Sequence, residues 1–568
     1  MSDLLIGTRR TQGRPLRALA IGAVLIFVIG LGSYLIYGRM VAYPHPDGEI
    51  PRTELSSSDM SLRYGESSLS FAGPIRVLRV VGTPHTVGAS RGRLLAGAVA
   101  DVGETIEETI QRTVPRTGAL AGLVRGIRLR WRYRLLDDGV PGHQLVEVAG
   151  VLRGAARSGT SVPSYESYVR HQAFLDVGKP APWSAGASEQ AVARSLSFAA
   201  IARSPSGDRL MLGRSFGLPG LSDSGLAASR HVTVSFVRAE SVIPFASVAW
   251  PGAVGVVTGI NAEGVVVLVH PARTDDVRTT RRAQPIPLLA RDVLENAHTL
   301  DEAIKIVEAS ATLGTASFLV ADGNARTFAV VERSPTRVAV RRFSNAPVAN
   351  ELLSGKPFID DPQNDRARRS RPSETRSRRA EQVLSSSPPE SAADIAAILR
   401  DRRGDDGGQL PFGHRATIED VAAQHTAIVD ASAMVLWVAE GPGSSGRFRA
   451  FDLRHELRGE GARPAPPPDI AADRDQIVSE ANAAASALQD VHDARYTIRK
   501  GGDRAARELV SRALARAPTV PQALLLAGEL ARERGDDETA IAMYTRYMEV
   551  AGDDPLAGRQ IEAVLKDR

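Results

Sequence analysis

The sequence contains no cysteine. That absence excludes disulfide cross-links, a thiolate nucleophile and any cysteine-ligated metal. It is compatible with an oxidising compartment without requiring one. Lysine is scarce as well, at five of the 70 basic residues, a bias that an arginine-rich coding composition explains more simply than a functional demand. No glycine-rich phosphate loop ending in a P-loop lysine is present. His414 and His425 stand eleven residues apart with no acidic ligand pattern between them, so no metal and no cofactor are expected. Charge of one sign is missing too. The 70 basic residues face 65 acidic ones, for a net +5, and nucleic-acid binding wants basic charge gathered on one face.

What is present is length. The 568 residues correspond to three or four domains at ~150 residues each, with 43% hydrophobic and 24% charged residues as in globular chains. Residues 18–38, ALAIGAVLIFVIGLGSYLIYG, are uncharged and mostly apolar, enough for a helix to cross a ~30 Å hydrocarbon core. Arg9, Arg10, Arg14 and Arg17 precede this run, whereas Arg39 is followed by Asp47 and Glu49. The positive-inside rule then leaves residues 1–17 in the cytoplasm and the bulk of the chain extracytoplasmic, on the periplasmic side in a bacterium. A cleaved signal peptide is the competing reading; the run exceeds the usual apolar core of one and lacks a small-x-small cleavage site.

Residues 39–72 are polar and Pro/Ser-bearing, as in a juxtamembrane stalk. A strand at 75–81 leads into GTPHTVGASRGRLLAG (82–97), a glycine-punctuated turn entering a helix, and 95–160 reads as helical. Within it Arg125, Arg128, Arg130, Arg132 and Arg134 mark a solvated helix face. From 195 to 345 the period shifts to β, with runs at 231–237, 245–250, 264–270, 317–322, 327–332 and 338–343, interrupted by a helix at 286–309 that Thr299-Leu-Asp-Glu302 restarts with a capping box. Residues 355–412 read as a long loop plus a helix, and strands return at 426–440 and 447–453. Arg463-Pro-Ala-Pro-Pro-Pro468 is a stiff linker. Beyond it Lys500-Gly-Gly-Asp503-Arg-Ala-Ala506 and Arg534-Gly-Asp-Asp-Glu-Thr-Ala540 repeat at 34 residues, the tetratricopeptide period, which predicts helical hairpins offering a groove to a protein partner.

The chemistry-bearing stretch is SLSFAAIARSPSGDRLMLGRSFG (195–217): a strand opening on a hydroxyl residue, a Ser-Pro-Ser-Gly turn, and a return strand ending in Gly213-Arg214. Together with the 82–97 turn, with Pro251-Gly-Ala-Val-Gly255-Val-Val-Thr-Gly259-Ile-Asn261-Ala-Glu-Gly264, with the run 286–343, and with Ser373-Glu-Thr-Arg376 and the strand near Trp437, it resembles the C45 peptidase family. These are N-terminal-nucleophile acyltransferases and amidohydrolases related to penicillin acyltransferase. The resemblance covers about 75 to 455.

It implies a four-layer αββα sandwich of α+β class and a precursor that cuts itself before its nucleophile, whose freed α-amine then serves as base. Carried onto this chain, the scissile bond is Arg194–Ser195 and Ser195 stands where the family has cysteine, with Ser197 an alternative on the same strand face. Arg214 matches the arginine that holds the nucleophile region. Ser215 and Gly217 replace the family's asparagine and orienting aspartate, and Asp223 is the nearest downstream carboxylate. Asn261 matches the family's Thr-Gly-x-Asn, where its own residue type points to capping a local turn. His270 replaces an asparagine that donates to the oxyanion, a role an imidazole N–H can also fill.

The expected plan is a cytoplasmic tail (1–17), a transmembrane helix (18–38), a stalk (39–72), an N-terminal-nucleophile domain (73–457, with a pro-segment to about 194), a linker (458–475) and a tetratricopeptide-like domain (476–568). The expected activity is hydrolysis or transfer of an acyl group from a small amide or ester, with Ser195, Arg214, Asn261 and His270 as site residues. The departures at 195, 217 and 270 keep open an inactive relative of the same fold, serving as a binding module.

Overall fold

A computed structural model of the chain describes residues 14–48, 53–58, 61–112, 118–177, 194–203, 207–217, 232–276, 282–343, 347–370, 372–459, 467–554 and 557–566. Two compact units are present.

The smaller unit holds the helix Arg14–Val41 and the helix Gly118–Arg132. Within the first, Ile21–Val41 is long and apolar enough to span a membrane, and apolar side chains such as Phe27 and Ile36 are exposed. Tyr37 donates a hydrogen bond to the Ile127 carbonyl (2.7 Å) and stacks on Trp131, over which the Arg134 guanidinium lies. Arg128, Arg130 and Arg132 are exposed, as the solvated-face reading expects.

The larger unit is built on two sheets. Eleven described strands form the first, in the spatial order Ser56–Ser58, Ser61–Tyr64, Ser67–Ala72, Ile75–Gly82, Thr233–Ala239, Phe245–Ala249, Thr258–Asn261, Val265–Ala272, Thr315–Asp322, Thr327–Arg333 and Val338–Arg342. The second has six: Val348–Asn350, Leu196–Ala202, Arg209–Phe216, His425–Asp430, Val435–Ala439 and Phe448–Asp452. Of the paired strands only Ile75–Gly82 and Thr233–Ala239 run parallel. The segment read as a stalk is therefore partly sheet: Ser61–Ala72 pairs strand by strand onto Ile75–Gly82. Leu69 is buried there, and apolar burial of this kind outweighs the polar look of the segment.

The sheets pack face to face. Ala199, Leu210, Leu212, Ala427 and Val429 of the second meet Val234, Phe236, Val266, Leu268 and Leu319 of the first in one core. The other face of the second sheet, with Phe198, Ala200 and Met211, is covered by Ala380 and Leu384 of the helix Ser373–Ser386 and by Ile395 and Leu399 of the helix Ala392–Leu399. Strands covered on both faces read as unbroken apolar runs, as Leu196–Ala202 does. On the first sheet the helices Ile286–Asn296 and Leu300–Ala309 are separated by an N-cap at Thr299, whose Oγ1 accepts from the Glu302 N–H (3.3 Å); Glu302 Oε2 accepts from the His298 N–H (2.7 Å), one residue before the bond a capping box would make.

Gly88 and Gly92 of the helix Pro84–Leu94 lie against the helix Gly142–Ala156 so closely that a Cβ at 92 would stand 1.9 Å from the Val151 carbonyl oxygen. Glycine here is a packing requirement, which accounts for Gly88 and Gly92 of the 82–97 motif.

Past the linker, of which 460–466 lie outside the described residues, come the helices Asp475–Arg499, Asp503–Arg516, Pro521–Glu533, Asp537–Ala551 and Ala557–Lys566. The far end of the linker is fastened: Trp437 Nε1 donates to the Pro468 carbonyl, and Ile470 bridges to Phe448. Phe412 and Val421 join the core of the first three C-terminal helices.

Candidate active site

Strand alternation decides which side chains meet between the sheets. Ala199 faces the inter-sheet core, so Ser197 and Ser195 share its side. On the neighbouring strand Leu210 and Leu212 face it, so Arg214 does too, and Ser197 is directly paired with Arg214 across the hairpin. In the opposite sheet Val266 and Leu268 face the core, which brings His270 to the same gap. The structure thus gathers Ser195, Ser197, Arg214 and His270, all fully buried.

Ser197 Oγ lies 2.5 Å from His270 Nε2. Arg214 Nη1 lies 3.0 Å from Nε2 and 3.1 Å from Nδ1 of the same ring, while Nη2 donates to the Val269 carbonyl. His270 also hydrogen-bonds the Ser195 main chain. Burial, and then the Arg214 charge, push the imidazole well below its ordinary pKa, so it is neutral at pH 7 with one N–H to donate and one nitrogen to accept. Among the described residues Arg214 has no carboxylate partner; burial lowers its pKa to about 9, and its guanidinium sits over the Phe216 ring. The Ser195 hydroxyl has no hydrogen-bond partner among the described residues. A buried, unsatisfied hydroxyl costs on the order of 1–3 kcal/mol.

Asn261 is not brought to the other three. Ile260 faces the inter-sheet core, so Asn261, one residue on, faces the helices. Its Nδ2 donates to the carbonyls of Leu294 (3.0 Å) and Ala297 (2.7 Å), and its Oδ1 accepts from the N–H groups of Glu263 and Val265. The amide is spent on closing a turn and fastening a helix end, the local capping its sequence context suggests. Asp223 lies outside the described residues.

Several groups around the site carried no functional signal in the sequence. His425 bonds Thr258 Oγ1 (2.8 Å), stacks on Phe216 and is pushed well below its ordinary pKa by burial and then by Arg214. Arg376 is fully buried, with Nε donating to the Thr417 carbonyl. Glu419 and Asp420 lie buried on the segment before the strand His425–Asp430. Burial, and then the neighbouring Asp420, push the Glu419 carboxyl up to about 8. That segment is clamped by the C-terminal helices: His414 Nε2 to Asp553 (2.9 Å), Arg415 to Asp554 (2.9 Å) and Gln522 to the Gly413 carbonyl (2.8 Å). Among the described residues no group of three or more His, Asp or Glu is placed to hold a metal ion.

Residues 222–441 match the model of the family acyl-coenzyme A:6-aminopenicillanic acid acyl-transferase. The resemblance read from the sequence holds there; the hairpin carrying Ser195 and Arg214 lies outside the matched span. No curated protein sequence matches the chain. Among solved structures, the chain is similar to a Caenorhabditis elegans N-acylethanolamine-hydrolyzing acid amidase ortholog, at 15% identity over 42% of this chain and 93% of that one, with a TM-score of 0.31. It is also similar to a mutant of the conjugated bile acid hydrolase from Clostridium perfringens, at 9% identity over 48% of this chain and 96% of that one, TM-score 0.27. Nothing further rests on these two likenesses, whose TM-scores are low.

Proposed function

We propose that the chain is a self-processing amidohydrolase or acyltransferase, acting on an amide or ester of a small substrate through Ser195 as N-terminal nucleophile. The observation that carries this reading is the Ser195 hydroxyl, buried and without a hydrogen-bond partner among the described residues, at the head of its strand, with a neutral His270 on its main chain and Arg214 bonded to that ring. The match of residues 222–441 to an acyl-transferase family supports the reaction class.

In the intact chain the Ser195 hydroxyl attacks the Arg194 carbonyl carbon. The C–N bond breaks, the nitrogen takes the hydroxyl proton, and water hydrolyses the resulting ester. The freed amine then draws the proton from Ser195 Oγ as that oxygen attacks an acyl carbon, and returns it to the leaving group. The His270 N–H donates to the developing oxyanion. Arg214, pinned to the Val269 carbonyl and the imidazole, fixes that ring. A serine hydroxyl loses its proton far less readily than a thiol, so this arrangement depends on placement.

The helix Arg14–Val41 anchors the protein in a membrane with its N-terminus cytoplasmic, and the C-terminal helices form a tetratricopeptide-like arm for a protein partner. The starts of two of them, Asp503 and Asp537, keep the 34-residue offset.

Intact-mass analysis of the full chain tests the mechanism. Cleavage between Arg194 and Ser195, abolished by Ser195→Ala, is expected. A wild-type chain that stays whole rules out self-processing and leaves a binding module of the same fold.

A further inference from the structure

Gly217 has no side chain, and its place beside the scissile bond is taken by a residue from a remote part of the chain. A Cβ built on Gly217 would stand 2.7 Å from Asp420 Oδ2, 3.0 Å from the Arg194 carbonyl oxygen and 3.2 Å from Arg194 Cβ. The Arg194 N–H donates to the Gly217 carbonyl (2.9 Å), so the two backbones are locked together at this point. Asp420 is only 3% exposed. Its Oδ1 accepts from the Ala422 N–H (3.2 Å) and faces Arg194 Nη2 at 3.5 Å, whereas Oδ2 has no hydrogen-bond partner among the described residues. A buried carboxylate oxygen left unpaired is costly, and this one borders the same small space beside Gly217 as the Arg194 carbonyl oxygen.

We propose that Asp420 supplies the carboxylate missing at position 217: once the Arg194–Ser195 bond is cut, it receives the new Ser195 ammonium and holds that amine against the Ser195 hydroxyl. This rests on the self-processing reading above. Before the cut, Arg194 neutralises Asp420. The cut creates an α-carboxylate on Arg194, of like charge with Asp420, which loosens Arg194 and leaves the ammonium as the nearest cation. Among the described residues Arg376 and the neighbouring Glu419 also bear on Asp420. Asp420 is in this sense a positioning residue: it acts through the amine.

The test uses the full chain in detergent, as wild type, Ser195→Ala, Asp420→Asn, and Asp420→Ala combined with Gly217→Asp. Intact mass reports cleavage, and the pKa of the freed Ser195 amine is read by NMR after reductive methylation with labelled formaldehyde. A wild-type chain that is never cut defeats the parent reading and is recognised before Asp420 is examined. Given wild-type cleavage, the amine pKa is expected to fall by about one unit or more in Asp420→Asn, because an opposite charge a few ångströms away favours the charged form. It is expected to return in the double variant, where the carboxylate has moved to 217. An Asp420→Asn chain that stays uncut places the need for the carboxylate before the cut and overturns the assignment. An unchanged amine pKa, or a defect that the double variant fails to repair, overturns it and leaves Asp420 as a salt-bridge partner of Arg194.

Discussion

Ser197 and His270 join the two sheets: the hydroxyl of one lies 2.5 Å from Nε2 of the other, with both side chains fully buried. The ring is neutral because burial and Arg214 disfavour its charged form, and this has a consequence for stability.

In the unfolded chain His270 takes up a proton below its ordinary pKa of about 6.5, while in the folded chain it does not. Stability is therefore full above pH 6.5 and falls as the pH drops below it, by up to about 1.4 kcal/mol per pH unit. His425, depressed in the same way, adds a second such contribution. His270→Asn is expected to remove one proton from the acid slope of stability between pH 6 and 5, as measured by urea titrations. A slope identical to wild type would show that the ring is charged in the fold.

Gly92→Ala is expected to destabilise the larger unit by about 3 kcal/mol, because its Cβ must push the Val151 carbonyl aside and backbone cannot yield as a side-chain tip does. Gly97→Ala, five residues on, meets nothing within 4 Å and is expected to be neutral or slightly stabilising. Denaturant midpoints of the two variants check this.

Arg291 is wholly buried, with Nη2 2.7 Å from Glu147 and Nε 2.7 Å from Glu295. Burial opposes ionisation of Glu295, yet Arg291 and His143 hold its carboxyl down to about 2. Arg291→Gln removes the cation shared by two buried carboxylates, leaving Glu295 to His143 and Gln144, and Glu147 to Arg91, and is expected to cost about 3 kcal/mol. Adding Glu147→Gln and Glu295→Gln is expected to recover part of that loss, which a double-mutant cycle reads directly.

Much of the fold was legible. The β-rich runs became strands within a few residues of their expected bounds, as at Val265–Ala272 and Thr327–Arg333, because strands buried on both faces read as unbroken apolar runs. The N-cap at Thr299 and the close approach at Gly88 and Gly92 also behave as their chemistry dictates. The polar segment 39–72 misled, since an edge strand can be polar and still pair. Motif position singled out Ser195, Arg214 and His270, and the fold brings these three into one inter-sheet gap. Asn261 turns instead toward the helices and closes a turn, as its residue type suggests, because one step along a strand reverses the face.

The sequence by itself determined the elements, the apolar N-terminal run, the hairpin at Ser195 and the departures at 195, 217 and 270. Those are local facts, set by residue type and spacing along the chain. Only the tertiary structure decided which side chains share the inter-sheet gap, that Ser197 rather than a carboxylate meets His270, and that the hole at Gly217 is filled by Asp420. These are contacts between segments 73 residues apart for Ser197 and His270, and 203 (420 − 217) for Gly217 and Asp420. No periodicity along a single chain records which remote carboxylate will occupy the space a missing side chain leaves.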